Sequence, residues 1–173
     1  MYNQTLYAYA TNNMLVGQFI QKSKNELSFS YSDEWLAYDL AFPISLNLPL
    51  TKDETSSFNA LNFINNLLPD LIEDRLSLAY SVGLQSVDAL TLLSKIGHDC
   101  IGGIIFTDSN EPLSMGWEYR EISASELEEL VTKRRSFLPF FGDYRPCISG
   151  TQRKTTLMKL NGKWYVPDRK SVV

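Results

Sequence analysis

The residues of this chain that are best suited to chemistry lie in one short segment near its C-terminal end. They follow one another directly: Ser149, Gly150, Thr151, Gln152, Arg153 and Lys154. A loop of small residues can point its backbone N–H groups at a phosphate, and an adjacent arginine or lysine adds positive charge. A single glycine is a weak signal for such a loop, so an ordinary surface loop is the alternative. The segment is a candidate phosphate-binding loop.

Metal and acid–base chemistry have little support elsewhere in the sequence. The chain has one histidine, His98, and two cysteines, Cys100 and Cys147, which do not form a Cys-x-x-Cys motif. Two cysteines do not make a disulfide framework, and we expect reduced thiols. His98 and Asp99 form the only His-Asp pair, but a buried-looking strand follows them where a kinase catalytic loop would continue. We therefore predict no catalytic residue and no metal site.

Charge is distributed unevenly along the chain, whose formal net charge is −4. Residues 1–108 carry 5 basic and 12 acidic side chains, a net charge of −7, whereas residues 109–173 carry 11 basic and 8 acidic ones, a net charge of +3. From Lys133 onward there are 10 basic and 2 acidic side chains. Such a run is either a solvated basic surface or a segment that meets phosphate or an acidic partner. Because acidic side chains repel nucleic acid, we expect residues 1–108 to bind a protein partner and not free DNA.

Length and hydropathy limit the class of protein. The 173 residues, 44% of them hydrophobic, can form one core or two small cores in contact. The sequence has no apolar run of about 18 residues and no visible secretory signal. We expect a cytoplasmic protein that does not enter a membrane.

Local patterns predict an α+β fold that begins with strands and continues with a group of helices. Strand-like runs at 6–9 and 14–20 flank Asn12-Asn13, a turn signal, and alternation of apolar and polar residues predicts a strand at 27–31. Residues 42–50 also alternate, but two prolines place them at a sheet edge or in an extended loop. Helical spacing predicts helices near 58–68, 71–82 and 90–96, with Ser86 as the cap of the last one. A buried strand follows at 101–106.

The C-terminal part carries two strong local signals. Ser123 and Glu126 have the spacing of a capping box, which predicts that a helix begins there. Asn161-Gly162 between two strand-like runs predicts a tight hairpin. Because an isolated hairpin is marginal in water, we expect residues 113–120 to pair with it. A soft boundary near 108–112 divides the chain into residues 1–108 and 109–173.

Seven short motifs, in order along nearly the whole chain, resemble the N-terminal region of HipA-family serine/threonine kinase toxins. The motifs are Val16-Gly17-Gln18-Phe19, Phe29-Ser30-Tyr31, Ile44-Ser45-Leu46-Asn47-Leu48-Pro49-Leu50, Phe63-Ile64-Asn65-Asn66-Leu67-Leu68-Pro69-Asp70, the segment from Leu92 to Gly103, the segment from Ile148 to Thr155, and Trp164-Tyr165-Val166-Pro167. From the residues alone, most of these motifs are turns, helix ends and packing positions.

The resemblance implies a fold and a role for each part of the chain. Residues 1–108 would be the HipA N-terminal subdomain, and residues 109–173 the incomplete start of a kinase-like N-lobe. The segment from Ser149 to Lys154 would cover the phosphates of ATP, which the family binds with magnesium. In the family a serine in or just before this loop is phosphorylated, which switches the kinase off, and here Ser149 is the candidate because Cys147 replaces a serine found in many relatives. A HipB-like helix-turn-helix antitoxin is the implied partner.

The sequence departs from the family at its C-terminal end. In relatives the nucleotide lysine, the catalytic aspartate and the metal-binding aspartate lie beyond the position of Val173, and residues 168–173 differ from the family pattern. We therefore expect the isolated chain to be catalytically inactive and to bind no cofactor by itself. A truncation, a frameshifted product and a split gene would each explain this ending.

A binding subunit is the alternative to a kinase fragment. Split systems of this family encode the N-terminal region separately, and that piece acts as an antitoxin that binds and inhibits a separate kinase subunit. The presence of residues 109–173 counts against a simple copy of that small subunit. An α+β domain with another role is the third interpretation.

Overall fold

The computed structural model describes residues 4–23, 25–100, 103–112, 115–132 and 157–171. Within these ranges the chain forms two antiparallel sheets and five α-helices. The first sheet has the order β3-β2-β1-β4, from strands β1 (Thr5–Ala10), β2 (Leu15–Ser23), β3 (Glu26–Tyr31) and β4 (Ile104–Thr107). The second has the order β5-β7-β6, from β5 (Met115–Ile122), β6 (Met158–Leu160) and β7 (Lys163–Ser171). The predicted α+β class is confirmed.

The helices lie largely between the third and fourth strands of the chain. They are α1 (Asp33–Leu36), α2 (Ser57–Asn66), α3 (Ile72–Ser81) and α4 (Ala89–Ile96), followed by a 3₁₀ turn at Gly97–Asp99 and, later, α5 (Ala124–Thr132). The three predicted helices correspond to α2, α3 and α4. The predicted cap of α4 is wrong: Asp88 Oδ2 accepts from the Thr91 amide at 3.1 Å, whereas Ser86 Oγ accepts from the amide of Asp88.

Aromatic rings at the centre of the first sheet join its strands to the helices. The Phe19 ring on β2 lies 4.5 Å from Phe29 on β3 and is stacked at 5.8 Å on Phe63 of α2. Phe106 on β4 lies 6.2 Å from the same ring. Phe19, Phe29 and Phe106 are fully buried, and this burial is the main force that holds the helices on the sheet.

Two glycines of the family-like motifs are explained by close packing. A Cβ at Gly97 would lie 2.5 Å from the Cβ of Phe106, and a Cβ at Gly17 would collide with the Ser30 carbonyl. Both glycines therefore let one segment of backbone approach another.

The segment between α1 and α2 is tied to the edge strand β3 and to helix α1 by one buried aromatic side chain on each, Tyr31 and Trp35. Tyr31 Oη donates to the Leu48 carbonyl at 2.5 Å and accepts from the Ile44 amide at 3.0 Å. Trp35 Nε1 donates to the Phe42 carbonyl at 3.2 Å. Residues 42–50 form an extended loop with one isolated bridge between Ser45 and Leu48, which agrees with the proline-based prediction.

Candidate functional site

The predicted phosphate loop, from Ser149 to Lys154, lies outside the described residues, as do Ser149 as a phosphorylation site and Cys147. The part of the chain that the structure describes resumes at Leu157, directly before β6. These site residues therefore stay a prediction. What the structure does describe is the sheet into which such a loop would lead.

The strands that follow the predicted loop form a tight hairpin. Leu160 pairs with Lys163 across the turn, and both turn residues have positive φ, 49° at Asn161 and 78° at Gly162. Such angles at both central positions are those of a type I′ turn, as the Asn-Gly pair predicts.

The central strand β7 pairs on its other side with β5. The register runs from Met115 opposite Ser171 to Ile122 opposite Trp164. The expectation that residues 113–120 support the hairpin is confirmed for the described residues from Met115 onward. Ile122 and Val166 are buried, so the sheet has an apolar side of its own.

Three cations of this sheet have partners within the sheet or on α5. Lys163 Nζ lies 2.9 Å from Glu121 Oε2, and this hydrogen bond raises the pKa of Lys163. Arg120 lies 3.0 Å from the Glu126 carboxylate. Lys159 Nζ lies 5.2 Å from the centroid of the Trp164 ring, within cation–π distance. These three side chains therefore help to organise the sheet.

The capping box at the start of α5 is confirmed and is charge-assisted. Ser123 Oγ accepts from the Glu126 amide at 3.2 Å, and Glu126 Oε2 accepts from the Ser123 amide at 2.7 Å. The Ser123 amide, with Arg120 as a second donor, holds the pKa of Glu126 below its usual value. This fixes the direction in which α5 leaves the sheet.

His98 and Asp99 do not belong to a metal-binding cluster of the described residues. His98 and Asp99 lie in the 3₁₀ turn after α4, and the strand β4 begins five residues after Asp99. Across the described ranges no group of three or more His, Cys, Asp or Glu side chains could hold a metal ion. Among the same residues no helix is long and apolar enough to cross a membrane.

Within residues 1–108, the described large apolar side chains that are exposed include Phe58 at the start of α2 and two groups. The 37–55 segment exposes Leu40, Phe42, Leu46 and Leu50, with Leu46 95% exposed at the tip of the Ser45–Leu48 bridge. Helix α3 and the residue before it expose Leu71, Ile72, Leu76 and Tyr80. Helical spacing placed Ile72 and Leu76 on the predicted helix at 71–82, but sequence reasoning did not identify them as exposed. The spacing of Ile72, Leu76 and Tyr80, four residues apart, was the signal for a continuous apolar line along that helix.

Arg75 holds the corner between α2 and α3 and was also missed from the sequence. Its Nε donates to the Pro69 carbonyl at 2.6 Å, one terminal nitrogen donates to Asn65 Oδ1 at 2.8 Å, and the other to the Asn65 carbonyl at 3.1 Å. The Asn-Leu-Leu-Pro motif is therefore a helix end and turn that an arginine on the next helix holds in place through the side chain and carbonyl of Asn65 and the carbonyl of Pro69.

Comparisons with known proteins agree with this architecture. The protein-family model described as HipA N-terminal domain matches residues 8–107. A curated protein of Sinorhizobium fredii, named "Putative kinase Y4mE", is 27% identical over 161 residues, which cover 88% of this chain and 38% of that protein.

A solved structure has the same fold. It is HipA of Shewanella oneidensis MR-1 in a complex with HipB and its operator DNA, with a TM-score of 0.67 at 22% identity. The match covers 93% of this chain and 37% of the Shewanella chain, so the chain spans less than two fifths of the length of these two relatives. Since the family model matches more than half of the sequence, the chain belongs to the HipA N-terminal domain family.

Proposed function

We propose that this chain is the N-terminal region of a HipA-like serine/threonine kinase of a toxin–antitoxin system, and that it does not transfer phosphate by itself. The observation that carries the proposal is the order of its parts. The HipA N-terminal domain match at residues 8–107 is followed by a three-stranded antiparallel sheet. In the sequence, the β6–β7 hairpin of that sheet follows the Ser149–Lys154 segment. This is the order in which a kinase N-lobe would follow the first subdomain.

In this proposal the chain covers the nucleotide, and the catalytic groups belong to the remainder of a HipA-like protein. Phosphoryl transfer needs a residue that orients the substrate hydroxyl, metal-binding Asp and Asn side chains, and a lysine at the phosphates. The His98-Asp99 pair sits in a 3₁₀ turn after α4 and is not followed by a catalytic-loop asparagine. More than three fifths of the Sinorhizobium relative has no counterpart in this sequence.

In this proposal the Ser149–Lys154 segment covers the ATP phosphates, and Ser149 is the site of regulatory phosphorylation. The hairpin β6–β7, braced by β5, is the support from which the segment would extend. ATP and magnesium would bind only together with a catalytic lobe.

A labelling experiment tests the proposal. The purified chain is incubated with radiolabelled ATP, magnesium and a mixture of aminoacyl-tRNA synthetases, the substrate class that the family resemblance implies. We expect only background labelling, with the HipA protein of Shewanella oneidensis as the positive control for the assay. Phosphate on Ser149 without any added kinase would contradict the proposed inactivity.

A HipB-like antitoxin is the proposed partner, because the solved structure with this fold is a complex of HipA with HipB and operator DNA. A stand-alone binding subunit that inhibits a separate kinase subunit is the second candidate. The core around Phe19 favours this candidate. It joins strands β2, β3 and β4 of the first sheet to helix α2, and such a buried aromatic core is that of an independent domain.

The neighbouring reading frames distinguish the two candidates. A downstream frame with the catalytic motifs, whose product co-purifies with this chain and loses activity on binding it, would favour the split system. A HipB-like frame alone, with a product that forms a stable complex with this chain, would favour the kinase-fragment interpretation.

A further inference from the structure

Helix α3 has a wide apolar face, and only one edge of that face is covered in the fold. Leu78 and Ala79 are buried against the core. Ile72, Leu76 and Tyr80 lie one turn apart along the other edge and are 51%, 38% and 72% exposed. We call these three residues the α3 stripe. Apolar residues at i, i+4 and i+8 form the contact line that one helix offers to another.

The α3 stripe is held in a fixed orientation before any partner arrives. The three hydrogen bonds of the Arg75 guanidinium to Asn65 and Pro69 tie the first turns of α3 to the end of α2. A surface that is ordered in advance loses less conformational entropy on binding. The stripe is therefore suited to a contact with a rigid partner.

The charges around the α3 stripe select the chemistry of that partner. From Asp70 to Ser81 the sequence contains three acidic residues, Asp70, Glu73 and Asp74, and one basic residue, Arg75. The guanidinium of Arg75 is directed at Asn65 and Pro69. Asp70 and Glu73 are exposed beside the first turn of the stripe. This potential repels nucleic acids, anionic membranes and the same face of a second copy.

We propose that the α3 stripe is the docking site for an amphipathic helix of a partner protein, with apolar residues along one side and lysine or arginine beside them. The apolar side of that helix would cover Ile72, Leu76 and Tyr80, and its cations would face Asp70 and Glu73. The α3 stripe contains none of the residues of the predicted nucleotide loop, so the proposal goes beyond the kinase assignment and does not depend on it.

Titration of the isotope-labelled full chain with two synthetic helical peptides tests this surface by NMR. One peptide, of about 18 residues, carries leucines on one side and lysines on the other, and the second replaces every lysine with glutamate. We expect the lysine peptide to shift amide resonances within residues 70–83 and the glutamate peptide to leave them unchanged. Shifts of equal size with both peptides, or shifts centred elsewhere, would overturn the proposal.

Two substitutions that replace a leucine with a neutral polar residue provide the matched comparison. Leu76→Ser should weaken binding of the lysine peptide about tenfold or more, as loss of a central apolar contact does. Leu46→Ser, at a more exposed leucine outside the stripe, should bind like the unsubstituted chain. Circular dichroism verifies that both variants fold. Equal affinity of both folded variants would refute the proposal, and so would self-association in sedimentation that Leu76→Ser abolishes, since the occupant would then be a second copy.

Discussion

At the scale of single residues, Tyr31 carries the largest share of the connection between the first sheet and the 42–50 loop. It is 8% exposed, and its hydroxyl group both donates to Leu48 and accepts from Ile44. Tyr31→Phe leaves a buried carbonyl and an amide without this partner, which should lower the free energy of unfolding by about 1–3 kcal/mol. Urea denaturation measures the change, with Tyr119→Phe at an exposed position as the control.

The same hydroxyl group should make stability depend on alkaline pH. Burial raises the pKa of Tyr31 above its ordinary value of 10.0, so the folded chain keeps this proton to a higher pH than the unfolded chain does. The contribution is complete below pH 10 and is lost as the pH rises through the pKa of the folded state. Denaturation at a series of alkaline pH values should show a smaller decline for Tyr31→Phe. An identical decline in both proteins would assign the pH dependence to other groups.

Arg75 is the residue on which the angle between α2 and α3 depends. Arg75→Ala removes three hydrogen bonds from a charged donor and should destabilise the fold by about 2–3 kcal/mol. Arg75→Lys keeps the charge but lacks the planar guanidinium group that donates to Asn65 and Pro69 together, so it should recover only part of the lost stability. Thermal unfolding of the two variants checks this order. Full stability of Arg75→Lys would mean that charge alone acts at this corner.

At the scale of elements, the close contact between the 3₁₀ turn and β4 depends on Gly97, which has no side chain. Gly97→Ala places a methyl group 2.5 Å from Phe106 Cβ, so the turn or the strand must move, at a cost of about 1–3 kcal/mol. Gly83→Ala is the informative comparison, because it meets no atom within 4 Å and is strained only by its φ of +72°.

Amide hydrogen exchange separates the two glycine variants. Gly97→Ala should accelerate exchange in β4 and in its partner β1, whereas Gly83→Ala should affect only the end of α3. Unchanged protection of β4 in Gly97→Ala would show that the strand accommodates the methyl group without cost.

At the scale of the whole molecule, charge predicts which macromolecules the chain avoids. The net charge of −7 over residues 1–108 opposes binding to a phosphate backbone, despite the basic excess that begins at Lys133. In fluorescence anisotropy with a random DNA duplex we expect no binding at physiological salt. Binding that weakens steeply as salt is raised would show instead that the basic segment contacts DNA.

The sequence by itself determined the features that depend on neighbouring residues. Asn161-Gly162 specifies its turn because only a few residues accept positive φ, and Ser123 with Glu126 specifies the start of α5 because both partners lie within one helical turn. Strands β1, β2 and β3 were also predicted from local patterns, namely a turn signal between the first two and alternation in the third. The nucleotide loop was also inferred from local composition and family resemblance, and it stays a prediction.

Only the tertiary structure decided which apolar residues are covered. Apolar spacing places both Leu78 and Leu76 on α3, yet the first is buried and the second is partly exposed, because burial depends on which elements meet in space. The arginine at position 75 reads as a surface charge until α2 brings Asn65 within hydrogen-bonding distance. Strand β1 likewise lies between β2 and β4 only because β4, about a hundred residues later in the chain, pairs with β1. Contacts between distant residues depend on the packing of the whole chain, and local sequence patterns contain little of that information.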